Sequence, residues 1–190
     1  MTGHHTLRET ERAIARRLGE VPLRHDAMMA VSNIYRAAAA IRQHFENSVL
    51  RGADLTWTAF VVLWVVWIWD EMETRHVAEE ASISKGTLTG VARTLEGRGL
   101  IERVSHATDG RRVLLRLTDK GHALMEELFP AFNAEEAFVV ERLSAEQNHL
   151  LSQSLRTIVE HTEEEGEDRR AALRGDSPPP PRRSGRRPRA

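Results

Sequence analysis

Ser82-Ile83-Ser84-Lys85-Gly86-Thr87-Leu88-Thr89 opens a helical pattern that closes at Glu96-Gly97-Arg98-Gly99-Leu100-Ile101. A charged hairpin follows at once, Glu102-Arg103-Val104-Ser105-His106-Ala107-Thr108-Asp109-Gly110-Arg111-Arg112, ending on Leu115-Arg116-Leu117-Thr118. Leu100 to Ser105 and Val113 to Leu117 alternate as two short strands, and Asp109-Gly110 is a strong turn signal between them. Upstream, Thr74 to Ala81 reads as a short helix with Thr74 as its cap and Val77, Ala78 and Ala81 inward. Ser82-Ile83 makes the turn. Helix, turn, helix and a basic two-stranded wing is the layout of a winged helix-turn-helix. That layout is suited to placing one helix in the DNA major groove and an arginine beside it.

Within the second helix, Ser84 is the expected N-cap, and Thr87 stands where a capping box would carry Glu or Gln. Leu88, Val91, Ala92 and Leu95 form the inward face, while Lys85, Gly86, Thr89, Gly90 and Arg93 fall on the opposite side. That outer face carries small residues and hydroxyls rather than acids. Small residues allow close approach to a base-pair edge, and an acid there would repel phosphate. Gly97 and Gly99 end the helix.

Working outward, residues 1–24 form an arginine-rich arm or short helix. In 25–53, Met28, Val31, Tyr35, Ala38, Ile41, Phe45 and Val49 recur at helical spacing, one apolar stripe on a long helix. The region 54–118 begins with Thr56 as an N-cap for an apolar helix through Trp69, although its many β-branched residues also permit a strand. In 119–165, Thr118 caps a helix to about Glu141, with a kink expected at Pro130. Ser144 with Gln147 makes a capping box for a last helix whose stripe is Leu150, Leu151, Leu155, Ile158 and Val159. Residues 166–190 are low-complexity, Pro- and Arg-rich, and are expected to be disordered. The fold class is thus mainly α with a small β-wing: a winged helix-turn-helix plus a helical dimerisation region.

Composition narrows the chemistry. The chain has 190 residues and no cysteine, which excludes disulfides, thiolate sensing and cysteine-ligated zinc. Net charge is −1, yet Ser82 to Thr118 holds seven Arg/Lys against three acids, a local net of +4. A basic patch on a neutral chain fits a DNA-facing module. The longest apolar run, Leu55 to Trp69, is 15 residues, short of the ~20 needed to span a bilayer. No export signal is read at the start, so a cytoplasmic protein with no membrane partner is expected. No P-loop, Gly-x-Gly-x-x-Gly, Gly-x-Ser-x-Gly or His-Glu-x-x-His occurs, so no enzyme, no cofactor and no catalytic residues are assigned. The nine histidines show no clustered ligand spacing, and no metal is assigned.

Over roughly residues 28–163 the chain resembles the MarR family of bacterial transcription regulators. The most specific stretch is Asp109-Gly110-Arg111-Arg112-Val113-Leu114-Leu115-Arg116-Leu117-Thr118, which matches the family wing pattern Asp-x-Arg-x-x-x-Leu-x-Leu-Thr at every fixed position. Leu95-Glu96, Gly99-Leu100-Ile101 and Thr118-x-x-Gly121 also fit. One departure is Ser82, where the family usually has Gly, and slight backbone strain is expected there. The resemblance implies a homodimer built on the first and last two helices. It also implies a pseudo-palindromic operator on double-stranded DNA and a repressor released by a small aromatic or phenolic effector.

On this reading Arg111 enters the minor groove at the wing tip, with Asp109 orienting its guanidinium. Arg93 and Arg112 are candidates for phosphate contacts. Lys85, Thr87 and Thr89 are candidates for phosphate or base contacts. For Ser84, a DNA contact and a plain helix cap are equal readings; for His106, a backbone contact and a plain wing residue. Tyr35, His44 and Trp64 are the candidate effector-lining residues. Core and interface packing is the weightier reading of Trp57, Trp64, Trp67 and Trp69. An architectural protein that coats DNA without sequence preference, using the basic tail, is the alternative. A protein-interaction winged helix without DNA binding is the third.

Overall fold

The computed structural model describes residues 5–105 and 112–175. Within them the order is α1 (Leu7–Leu18), α2 (His25–Asn47), α3 (Val49–Gly52), α4 (Trp57–Trp69), β1 (Glu71–Glu73) and α5 (Thr74–Glu80). Then come α6 (Lys85–Gly97), β2 (Ile101–Ser105), β3 (Val113–Leu117), α7 (Asp119–Val140), α8 (Ala145–Glu164) and α9 (Gly166–Arg174). Two compact units result, residues 1–139 and 140–190.

Several helix starts are where capping chemistry puts them. The Thr56 hydroxyl accepts from the Ala59 amide and starts α4. Thr118 Oγ1 accepts from the Gly121 amide at 3.1 Å and starts α7. Ser144 and Gln147 form the reciprocal capping box of α8. The arm contains a true helix, α1, opened by a Thr6–Glu9 capping box. Thr74, by contrast, is not a cap: it is the first helical residue of α5, and Glu73 occupies the N-cap without a side-chain bond. Glu73 is also the last residue of β1, so strand pairing sets that boundary.

The ambiguous run at 57–69 is a helix. Its Thr56 cap and thirteen-residue length outweigh its β-branched content, and Phe60, Val62, Leu63, Val65 and Val66 are all buried. It forms the centre of the first unit's core together with Leu50, Val77, Leu95, Leu115 and Met125, each fully buried. The wing has three strands rather than two. The order is β1-β3-β2, antiparallel throughout, with Met72 opposite Leu115 and Arg103 opposite Leu115 on its other side. A three-residue Glu-Met-Glu segment carries no strand signal of its own and is ordered by its partner β3. α7 carries Pro130 in its interior and continues to Val140.

In the second unit, the capping box and stripe of α8 stand as read, and no residue of this helix is buried. The tail departs from expectation: residues 166–174 are helical as α9. Glu167 and Asp168 in its first turn and Arg174 in its last complement the helix dipole, which local composition alone did not weigh. No single described helix is long and apolar enough to cross a membrane, although α2–α3 with α4 pass that test together as a bent pair.

Candidate nucleic-acid interface

The two helices of the helix-turn-helix, α5 and α6, end in the same way. At the end of α5, Ser82 has φ +52°, its amide reaches Glu79 O and the Ile83 amide reaches Ala78 O. At the end of α6, Gly99 has φ +67°, its amide reaches Glu96 O and the Leu100 amide reaches Leu95 O. Both are Schellman ends, which need one left-handed residue. Glycine takes that conformation freely; Ser82 takes it at a steric cost of ~1 kcal/mol. The strain expected at Ser82 is therefore present, and the fold is kept.

α6 then offers its outer face. Ser84 Oγ accepts from the Thr87 amide at 3.0 Å and pairs with Thr87 Oγ1 at 2.8 Å, so Ser84 is a working N-cap. Thr89 Oγ1 donates to Lys85 O at 2.8 Å. Lys85, Gly86, Thr87, Thr89, Gly90 and Arg93 are all exposed, whereas Leu88, Ala92 and Leu95 are buried. A Cβ placed on Gly90 would meet nothing within 4 Å, so nothing in the fold requires glycine there. The helix therefore presents a low, acid-free surface between two cations.

Beside it lies an open concavity of about 430 Å³, lined by Glu73, Arg75, Lys85, Thr89, Arg103 and Val113 among others. Glu73 Oε1 lies 3.6 Å from Arg75 Nε and its Oε2 lies 3.9 Å from an Arg112 guanidinium nitrogen. Arg103 Nε donates to Glu96 Oε1 at 3.0 Å, tying β2 to α6. Arg116 forks onto Glu102 Oε1 at 3.0 and 2.7 Å, and this hydrogen bonding raises its already high pKa. Glu73, Arg75 and Arg103 had not been singled out from sequence. Only the pairing of β1 with β3 brings Glu73 and Arg75 to the wing.

Of the wing residues, Arg112 is exposed at the start of β3, while His106, Asp109 and Arg111 lie outside the described residues. The three effector-lining candidates separate. Tyr35 is 74 % exposed on α2. His44 bonds Glu135 through Nε2, stacks on Phe138 at 5.3 Å and meets Phe45 edge-on. Trp64 stacks on Phe129 at 4.8 Å and meets Trp67 at 5.7 Å. A ring ladder, Phe45–Phe132–Phe60–Trp64, runs between the latter two sites. Among the described residues, no group of three or more His, Asp or Glu is arranged to hold a metal ion.

A buried helical scaffold, a helix whose exposed outer face carries no acid and a three-stranded wing together define a winged helix-turn-helix protein. The MarR family profile matches residues 55–113. A Bacillus subtilis protein described as the uncharacterized HTH-type transcriptional regulator YwaE is 32 % identical over 161 residues, 83 % of this chain and 94 % of that one. The chain belongs to the MarR family. Among solved structures, Bordetella bronchiseptica BpsR, described in terms of regulation of its DNA binding by 6-hydroxynicotinic acid, matches with a TM-score of 0.63. It is 25 % identical, over 68 % of this chain and 98 % of that one. NadR in complex with 4-hydroxyphenylacetate matches with a TM-score of 0.58 and 27 % identity, over 66 % of this chain and 89 % of that one.

Proposed function

We propose that this transcriptional regulator is a cytoplasmic repressor that binds a pseudo-palindromic operator as a homodimer and is released by a small aromatic or phenolic ligand. The observation that carries the DNA assignment is the outer face of α6: small, hydroxyl-bearing and acid-free, with Lys85 at one end and Arg93 further along. In this reading Lys85, Thr87 and Thr89 meet phosphates or base edges near the helix start, with Ser84 capping and touching the backbone. Arg93 and Arg112 neutralise phosphates, Arg111 enters the adjoining minor groove with Asp109 orienting its guanidinium, and His106 touches the backbone.

Exposed apolar stripes support the dimer. Val31 and Tyr35 on α2, and Leu150, Leu151, Leu155, Ile158 and Val159 on α8, are all exposed in the single chain. Covering them would stabilise by about 25 cal/mol for each Å² of remaining apolar surface removed from water. A two-fold dimer then places its two α6 helices one DNA turn apart, about 10 base pairs. The named ligands of NadR and BpsR are hydroxylated aromatic acids, which supports the same class here. Such a ligand acts by binding more tightly to dimers whose α6 helices are mis-spaced for successive grooves.

The test is binding of the purified protein to the DNA upstream of its own gene against random DNA at about 150 mM salt. Saturable dimer binding to one inverted repeat, weakened by Arg93→Ala and by Arg111→Ala, supports the reading. Equal, salt-sensitive binding to both DNAs replaces it with the architectural alternative.

A further inference from the structure

Arg98 counts in the sequence as one more cation of the basic patch. In the structure its donors are turned away from that patch. It is the C-cap of α6. Five residues beyond Arg93 is about 140° round a helix of 3.6 residues per turn, and it stands ~20 Å along the axis from Lys85. Its guanidinium forks onto two backbone carbonyls, Ala53 O at 2.9 Å and Asp54 O.

Those two carbonyls belong to a third Schellman end. Asp54 has φ +51°, its amide reaches Arg51 O and the Leu55 amide reaches Leu50 O. Ala53 is the C-cap of α3. Carbonyls at a helix end lack intrahelical partners and carry the negative end of the dipole, so a forked cation suits them. The carbonyl of Arg98 is itself such an orphan, and Lys120 Nζ of α7 donates to it at 2.8 Å. Next to it, Thr118 Oγ1 donates to Gly99 O at 2.6 Å and the Thr118 amide to Leu100 O at 3.1 Å. The result is a relay of helix-end caps: α7 caps α6, and α6 caps α3.

We propose that Arg98 is a positioning residue for DNA binding, holding the C-terminal end of α6 between the α3–α4 turn and the start of α7 and touching no phosphate. The tilt of the reading helix is thereby tied to the two ends of the scaffold, α2–α3 and α7. This inference rests on the DNA-binding reading above.

The experiment uses the full chain and an operator selected by it from a random duplex library. Arg98→Ala, Arg98→Lys, Lys120→Met and Arg93→Ala are compared, each first checked by thermal melting. Without DNA, Arg98→Ala is expected to speed amide exchange in segments 53–56 and 95–100 and to leave the centre of α4 unchanged. On the operator it is expected to weaken binding about tenfold, with the dependence on salt and the affinity for random DNA unchanged. Arg98→Lys recovers only part, because one ammonium cannot fork two carbonyls, and Lys120→Met gives a smaller loss of the same kind. Arg93→Ala, by contrast, lowers the salt slope by about one unit. A slope lowered by Arg98→Ala, with equal loss on random DNA, makes Arg98 a phosphate contact and overturns the proposal. Unchanged exchange and unchanged affinity overturn it as well. A wild-type protein that selects no sequence sinks the operator reading instead, and the exchange measurement then judges the helix-end relay by itself.

Discussion

The winged lobe and helix α8 carry the same kind of residue in opposite circumstances. Leu63, Leu95 and Leu115 are 0 % exposed, closed over by α4, α6 and the sheet. Leu150, Leu151 and Ile158 are 52, 43 and 45 % exposed on a helix that is just as well capped. An amphipathic stripe therefore states that a helix has an apolar face without stating who covers it. The lobe answers with its own chain. α8 leaves a face that gains stability only from something beyond its own helix, which is why the dimer belongs to the functional proposal.

Leu95→Ala strikes the self-sufficient side of this comparison. It should lower unfolding free energy by about 2–5 kcal/mol, read by urea titration, at every protein concentration. Leu151→Asp strikes the other side: it should weaken self-association by ~2–4 kcal/mol in sedimentation while sparing the lobe's near-ultraviolet spectrum. Loss of lobe structure in that variant, with self-association intact, would break the comparison.

Gly121→Ala sharpens it within the lobe. A Cβ at this position would stand 2.1 Å from Leu100 O, so the start of α7 must back away from the end of α6. A cost of ~1–3 kcal/mol is expected by chemical denaturation.

The two Schellman ends beside α6 give a smaller, signed effect. Ser82→Gly relieves a left-handed serine and should stabilise by ~1 kcal/mol; Gly99→Ala imposes the same strain and should destabilise by a similar amount. Equal responses to both changes would show that the turn, not the residue, sets the strain.

The smallest effect is confined to α1. Hydrogen bonds from the Thr6 amide and hydroxyl hold the Glu9 carboxyl below its ordinary pKa. A depressed carboxylate contributes above its unfolded pKa and is lost as pH falls through the folded one. Acid should therefore fray α1 while the lobe persists, as amide exchange near residues 7–12 would report.

Much of the lobe was legible because its signals are local. Thr56, Ser84 and Thr118 act on amides three residues ahead, and Gly99 acts on its own backbone. Thr74 misled because the same hydroxyl residue serves as a cap or as a first helical residue, and the neighbouring strand decided. The bond of His44 to Glu135 was not legible, because the two lie 91 positions apart and no short-range pattern announces such a pair.

By itself the sequence determined the helices with caps and apolar period, the wing strands β2 and β3, the acid-free face of α6 and the place of the strained serine. Each of these rests on forces acting within one turn or one hairpin. Tertiary structure alone decided that Glu71–Glu73 is a strand and that Arg75 and Arg103 share a groove. It also decided that Arg98 caps another helix 45 residues upstream. In those cases the partner is remote in the chain, and the free energy that selects the conformation exists only once that partner is in place.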